Sequence, residues 1–369
     1  MTTPRFPTLL ALLLAVGCRR DLAVSGAGEA GDPSPSTATA AVPAPSTDAA
    51  PPAAPPGELV LDHLGDPQFL TADGRALYWI DADSRSLRTW SEGDAGAPRT
   101  LGDFTARISD LVQPFSVADG VVLVLTQMDG EPAPRVEQIA TKGQSRKVLS
   151  NAIPSVLGVA GSDGHVFVAL DVDPPQRSML GEAFEVAPDR KLISLGRTNG
   201  PPRALAAQHG ALVVASAAGL SRHRPKKAAE ILSADDFCGP GMSLGADRVY
   251  FTRTTEPSVA SLGAGAKAVA LPAFAVAIRG RGPALYVGTR ASDPVRDGGT
   301  LSVARALHEA DESMRERRHV RALFRVDMTD GNVTRVATFN PPATSIAVTD
   351  HGVYAASPDH DGCIYRLTP

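Results

Sequence analysis

The chain has 369 residues, with 36 Lys and Arg against 40 Asp and Glu, which gives a formal net charge of -4. A chain without an excess of basic residues does not show the positive charge that nucleic-acid binding requires, so no nucleic-acid partner is expected. The length fits one large domain or two ordinary ones, once the N-terminal stretch has been set aside.

The N-terminal residues are typical of an export signal. Arg5 precedes the apolar run "LLALLLAV" (9–16), which is too short to span a bilayer as a mature helix. The stretch "AVGC" that follows resembles the bacterial lipobox, whose cysteine is lipidated and becomes the mature N-terminus. The resemblance implies a signal peptide at 1–17, a lipidated Cys18 that anchors the protein in a membrane, and sorting to the outer membrane, since Arg19 and not Asp comes next. The alternative is an ordinary cleavable signal with an incidental cysteine.

Residues 18–56 are rich in Ala, Pro and Ser. After about residue 24 the segment has no apolar side chain larger than valine, so it cannot bury enough surface to offset the entropy of an ordered chain. Its proline content favours a semi-extended conformation. We therefore interpret 18–56 as a disordered tether between the lipidated Cys18 and a folded body at 57–369.

The folded body repeats one pattern seven times: a short apolar segment, a tight polar turn and a second apolar segment. The copies lie at 69–81, 115–126, 159–170, 205–216, 244–252, 276–289 and 346–357. Asp-Gly or a similar pair between apolar runs predicts a β-hairpin, because the favoured turns need positive φ at their centre. Gly74, Gly120, Gly164 and Gly210 recur every 44 to 46 residues, a period typical of a four-stranded propeller blade.

The seventh copy is incomplete. Two further strand-like segments follow each of the first six hairpins, but only "CIYRL" (363–367) follows the last. The missing strand is available in "GELVLDHLG" (57–65), ahead of the first hairpin, and a circular array of sheets closes without a seam when its first strand joins its last blade. We therefore predict an all-β fold, a seven-bladed β-propeller of four-stranded blades whose last blade is closed by the N-terminal strand.

The segment Tyr78-Trp79-Ile80-Asp81 resembles the blade signature of YWTD-type propellers. With the repeats, it makes the region from about 57 to 369 similar to exported bacterial YWTD- or NHL-like β-propeller proteins. The resemblance implies a propeller that is exported to the bacterial cell envelope.

The connections between strands predict which side of the disc carries the function. The turns between first and second strands are short, whereas length accumulates on the opposite side, at 173–184 in the third blade and 290–321 in the sixth. Binding sites tend to lie on loops that a rigid scaffold holds, so the side with the long loops is the candidate binding face.

The insertion in the sixth blade, at about 291–320, has a helical pattern. Its apolar residues at helical spacing are Val303, Leu307, Ala310 and Met314. It also carries four arginines, Arg305, Arg315, Arg317 and Arg318. One interpretation is that the apolar stripe docks on the propeller rim and leaves the arginines in solvent. The other is that the arginines form a lid or a partner contact over the central channel.

Few residues are candidates for bridges or metal ligands. Cys238 and Cys363 remain after Cys18, and such a pair in an exported protein is able to form a disulfide. Three Asp-x-Asp pairs follow second strands, at 81 and 83, 171 and 173, and 359 and 361. They lack the further ligands of a calcium loop, so we interpret them as turn residues. The histidines show no metal-ligand spacing, and no metal site is expected.

No nucleophile elbow, phosphate-cradling loop or cysteine-histidine arrangement is recognisable, which favours binding over catalysis. The sequence therefore predicts a membrane-anchored propeller that acts without a cofactor as a binding or scaffolding module, with a protein or another envelope component as its ligand. The alternative is a propeller enzyme of the lyase, hydrolase or quinoprotein type with its site at the mouth of the channel. A third interpretation is a scaffold subunit that binds through its blade edges.

Overall fold

The computed structural model describes residues 56–94, 96–104, 111–127, 130–142, 145–171, 181–216, 218–234, 238–263, 265–280, 283–290 and 319–367. These ranges belong to a compact unit that spans Ala53–Pro369. The predicted signal peptide, Cys18, nearly all of the predicted tether and residues 291–318 of the predicted insertion lie outside the described residues. Within the described ranges, no helix has the length and apolar character needed to cross a membrane.

The described residues form seven four-stranded antiparallel sheets, which we number as blades I to VII in chain order. The strand β1 (Glu58–Leu61) comes first in the chain and belongs to blade VII. Blades I to III consist of β2 (Pro67–Asp73), β3 (Ala76–Asp81), β4 (Ser86–Ser91), β5 (Arg99–Asp103), β6 (Phe115–Ala118), β7 (Val121–Thr126), β8 (Arg135–Ala140), β9 (Arg146–Val148), β10 (Val156–Ser162), β11 (His165–Asp171), β12 (Gly181–Val186) and β13 (Leu192–Thr198).

The remaining strands follow the same order within each blade. They are β14 (Pro202–Gln208), β15 (Ala211–Ser216), β16 (Gly219–His223), β17 (Glu230–Ser233), β18 (Cys238–Leu244), β19 (Val249–Arg253), β20 (Ser258–Leu262), β21 (Ala268–Ala270), β22 (Ala275–Arg279), β23 (Ala284–Thr289), β24 (Val320–Asp327), β25 (Val333–Ala343), β26 (Ser345–Val348), β27 (Val353–Ser357) and β28 (Cys363–Leu367). A single turn of 3-10 helix, Asp359–Asp361, separates β27 from β28. The predicted seven-bladed β-propeller is confirmed.

The first strand of each blade is innermost. β2, β6, β10, β14, β18, β22 and β26 contact one another in turn, and β26 returns to β2, so they form a ring around the central channel. Strand direction alternates, so the turns between first and second strands lie on one side, which we call the turn face and which Gly74, Gly120 and Gly164 mark. The links between blades lie on the other side, which we call the loop face and which 62–66 and 149–155 mark.

The second strands are covered on both sides, which explains why their sequences are apolar at consecutive positions. In β3, Leu77 and Trp79 pack in an apolar cluster with blade VII, whereas Tyr78 and Ile80 pack in another cluster with blade II. Trp79 and Ile80 are fully buried. Because full burial of one large apolar side chain contributes about 1.5–3 kcal/mol, packing between blades is a main source of stability.

The Asp-Gly turns join neighbouring blades on the turn face. Gly164 has a φ of 75°, as the hairpin prediction requires. Its backbone N donates a hydrogen bond to Oδ2 of Asp119 (3.4 Å), and the backbone N of Gly210 donates one to Oδ2 of Asp163 (2.7 Å). The hydroxyl of Ser162 and the amide of Gly210 lower the pKa of Asp163, so this acceptor stays ionised well below neutral pH.

β1 completes blade VII, as the sequence predicts. It pairs antiparallel with β28, and Leu61 lies opposite Ile364. Just after β1, the backbone N of Leu64 donates a hydrogen bond to the carbonyl oxygen of Gly362 (2.9 Å). Gly362 has a φ of 81°, and a Cβ at this position would lie 1.9 Å from the carbonyl oxygen of Gly65. The crossing of the two chain ends therefore requires glycine at 362.

Two truncations test this closure. Removal of residues 19–52 leaves β1 in place, so we expect the melting temperature to stay within about 1 °C of that of the full chain. Removal of 19–65 deletes β1 and the buried Leu64 and exposes the edge of β28, and it should lower the melting temperature by about 5 °C or more. Circular dichroism melts measure both variants. Equal midpoints would contradict the closure.

Candidate functional site

The loop-face ends of the innermost strands are irregular in five of the seven blades. The register between first and second strands shifts between Gln68 and Thr71, Val156 and Gly158, Pro202 and Ala204, Cys238 and Met242, and Ala275 and Ala277. Each shift lies near the start of its strand, where the chain leaves the loop face. Bulges redirect side chains and are frequent beside binding and active sites. They shape the mouth of the channel on the loop face.

One of these bulges holds a buried cation that the sequence analysis missed. Arg203 lies in the bulge at the start of β14 and is 7% exposed. Its Nη1 donates a hydrogen bond to the carbonyl oxygen of Cys238 (3.0 Å), which joins blades IV and V. The sequence signal for this residue is a charged side chain at the start of an otherwise apolar inner strand.

A second polar feature of the loop face lies where blades VII and I meet. The backbone N of Gly65 donates to the carbonyl oxygen of Asp361 (2.8 Å), and a Cβ on Gly65 would lie 2.7 Å from Oδ1 of Asp81. The link at 62–66 therefore brings two of the three Asp-x-Asp pairs together. We call this group the seam cluster, and its members are Asp62, His63, Asp66, Asp81, Asp83, Asp359, His360 and Asp361.

Six carboxylates and two imidazoles make the seam cluster negative. Burial raises the pKa of Asp66, a hydrogen bond from Gln68 opposes this shift, and the charges of Asp83 and Asp81 add to it. The side chains of Asp83 and Asp361 are exposed, so the cluster attracts cationic groups from solution. In the described ranges, no three His, Cys, Asp or Glu side chains are arranged to hold a metal ion.

Asp81 is a turn residue, which confirms the interpretation of that pair. The residue is 3% exposed. Its Oδ1 accepts hydrogen bonds from the backbone N of Asp83 (3.1 Å) and of Ser84 (3.3 Å), and its Oδ2 lies 3.4 Å from Nη2 of Arg88. The carboxylate of Asp81 is therefore occupied by the donors of its own turn and by Arg88, whereas the carboxylate of Asp83 faces solvent.

The two cysteines do not form a disulfide with each other. Cys238 is buried in β18 in an apolar cluster with Met242 and Phe251, whereas Cys363 is buried in β28 in a different cluster. The two strands belong to blades V and VII, and blade VI lies between these blades in the ring. Burial raises the pKa of the Cys363 thiol to about 11, so this group stays protonated at neutral pH.

The remaining candidate residues lie outside the described residues. They are Cys18, Arg305, Arg315, Arg317 and Arg318. The ends of the insertion that carries the arginines are described: β23 ends at Thr289 and β24 begins at Val320, both at the loop face. In blade III, β12 begins at Gly181, so residues 181–184 belong to a strand and not to the long loop that the sequence suggests.

A small cavity lies apart from the loop face. It has a volume of about 300 Å³ and opens beside the link between β4 and β5, at the outer edge of blade I. Thr89, Trp90, Asp94 and Arg99 are among the residues that line it. Neither the bulges nor the seam cluster contributes to its wall.

Comparison with known proteins identifies the fold and nothing finer. No protein-family model and no curated protein matches the chain. Among solved structures, a catalytically inactive virginiamycin B lyase from Staphylococcus aureus, crystallised with quinupristin, is similar with a TM-score of 0.56 at 11% identity, over 85% of this chain and 98% of that one. The WD40 β-propeller domain of Doa1 is similar with a TM-score of 0.53 at 11% identity, over 85% and 96%. An enzyme and a WD40 domain match with similar scores, so this likeness favours neither function.

Paired substitutions separate the turn role of Asp81 from the solvent-facing role of Asp83. Asp81→Ala leaves the amides of its turn and the Arg88 guanidinium without an acceptor, so we expect it to lower the free energy of unfolding by about 1–3 kcal/mol. Asp83→Ala should change it by less than about 0.5 kcal/mol. Urea denaturation measures both. A larger loss in the free energy of unfolding for Asp83→Ala would mean that this carboxylate stabilises the fold.

Proposed function

We propose that this protein is a lipid-anchored binding module of the bacterial cell envelope, which takes a protein or another envelope component on its loop face. The observation that carries the proposal is the contrast between the two faces. On the turn face, Asp119 and Asp163 bond to the turns of neighbouring blades. On the loop face, the strand starts are irregular, and exposed carboxylates of the seam cluster such as Asp83 are available to a ligand.

The route of the chain supports presentation of the loop face. β1 starts at the turn face, where Glu58 lies opposite Arg366 near the end of β28, and it runs towards the loop face. The tether that precedes β1 therefore joins the propeller on the turn face.

The charge of the seam cluster bears on the chemistry of the ligand. Its exposed carboxylates favour a ligand that carries Lys or Arg side chains at the point of contact. Complementary charge of this kind acts mainly on the rate of association and on the choice of partner, and salt weakens it.

Replacement of the insertion tests which face binds. A short Gly-Ser linker in place of residues 293–318 should leave the fold intact, because closure entropy changes slowly with loop length. We expect the swap to abolish recovery of envelope proteins cross-linked to the purified chain, as measured by quantitative mass spectrometry. The matched control on the turn face is the double variant Asp73→Asn and Asp119→Asn, which should recover the same proteins as the wild type. If the turn-face double variant loses these proteins and the linker variant keeps them, the turn face is the binding surface.

The anchor has its own test. Cys18→Ser removes the proposed acylation site, and we expect the variant to leave the membrane fraction and to lose labelling by a palmitate analogue. Fractionation and click detection of the analogue in growing cells measure both effects. If the variant still incorporates the label, Cys18 is not the lipidated residue.

A further inference from the structure

The innermost strand of blade VI ends in an arginine, whereas none of the other six innermost strands ends in a cation. Arg279 lies opposite Tyr286 in the pairing of β22 with β23. Tyr286 and Val348 of blade VII both pack against the apolar cluster between the two blades. Residues that lie opposite each other in a sheet point to the same side, so the Arg279 side chain also points towards blade VII. It lies beside the central channel, at the turn-face end.

The guanidinium of Arg279 has few partners. Its Nη1 donates a hydrogen bond to the carbonyl oxygen of Ile278 (2.9 Å), and its Nε is buried and has no hydrogen-bond partner. No carboxylate of the described ranges pairs with it, and desolvation lowers the pKa of Arg279. A buried charge without a counter-charge is costly to keep. The Nε atom is buried, whereas the residue as a whole is partly exposed, so part of the residue is in contact with solvent.

We infer that Arg279 binds a small oxyanion, a carboxylate or a phosphate group, at the turn-face end of the central channel. A guanidinium has five N–H donors in a planar fork that matches two oxygens of such a group. Nη1 is engaged with the carbonyl oxygen of Ile278, and the buried Nε has a donor that no described group accepts. A bound anion would supply the counter-charge that the apolar surroundings of Arg279 lack.

The end of β22 is held in place for such a role. The hydroxyl of Ser243 in blade V donates a hydrogen bond to the carbonyl oxygen of Gly280, the residue after Arg279. Gly280 has a φ of 134°, and a Cβ there would lie 2.9 Å from the carbonyl oxygen of Ala284. The hydrogen bond from Ser243 therefore holds the strand end, and the positive φ with the close approach to Ala284 requires glycine at 280.

This site is independent of the proposed function. It lies on the side of the disc opposite the seam cluster and the bulged strand starts. Loss of ligand binding on the loop face would leave it unaffected, and the reverse also holds.

Anion titrations of the full chain test the inference. The probes are inorganic phosphate and acetate, each added at constant ionic strength with chloride as the balancing ion, and the readout is the melting temperature. We expect at least one probe to raise the melting temperature of the wild type in a saturable way. The probe that gives the larger rise identifies the preferred group. Arg279→Gln and Arg279→Met should reduce that rise in melting temperature about tenfold or more. Arg75→Gln removes an exposed arginine from a turn of blade I and should respond as the wild type does.

The Met variant decides between an anion site and a structural arginine. Methionine keeps an unbranched apolar stem and removes the uncompensated charge, so Arg279→Met should melt no lower than the wild type in buffer without either probe. A lower melting temperature, or failure to fold, would make the guanidinium structural and overturn the inference. The absence of any response of the wild type to both probes would overturn it too, as would an undiminished response of Arg279→Met.

Discussion

The pairing of β1 with β28 is the interaction on which the rest of the structure depends. Each blade has apolar side chains on both faces, and both faces are buried only when the blade has a neighbour on each side. Leu77 and Trp79 of blade I are covered by Tyr354 of blade VII because the ring closes. At the inner edge of this seam, the backbone N of Leu70 donates a hydrogen bond to Oγ of Ser345 (2.9 Å).

The closed ring also gives the two faces different structures. Alternating strand direction puts the tight turns on one side, where Asp163 and Gly210 join blades, and puts the links between blades on the other. The first side is stiffened by its own hydrogen bonds, and β1 starts there. The second side has irregular strand starts and exposed charge, which are the features that a binding surface on a rigid scaffold needs.

The sequence predicts the blades better than the sites. Asp-Gly pairs between apolar runs are local signals with a backbone cause, so the seven hairpins and the closure by 57–65 could be read from the chain. The sequence shows Arg203 as a charge in an apolar inner strand, but its bond to the carbonyl oxygen of Cys238 and the unpartnered Nε of Arg279 follow from packing between blades that the sequence does not show. The disulfide that the sequence allows between Cys238 and Cys363 is not formed. Composition permits such a bridge, and only the fold shows that the two cysteines lie in different blades.

Hydrogen exchange of the unaltered chain, followed by mass spectrometry, tests the closure most directly. In the closed ring, the amides of β1 that point to β28 are hydrogen-bonded, so peptides that cover 58–61 should exchange as slowly as those that cover 99–103, the outermost strand of blade I. Exchange at the rate of an unstructured peptide over 58–61, together with protection over 353–357, would contradict the closure. It would mean that blade VII stands without its fourth strand.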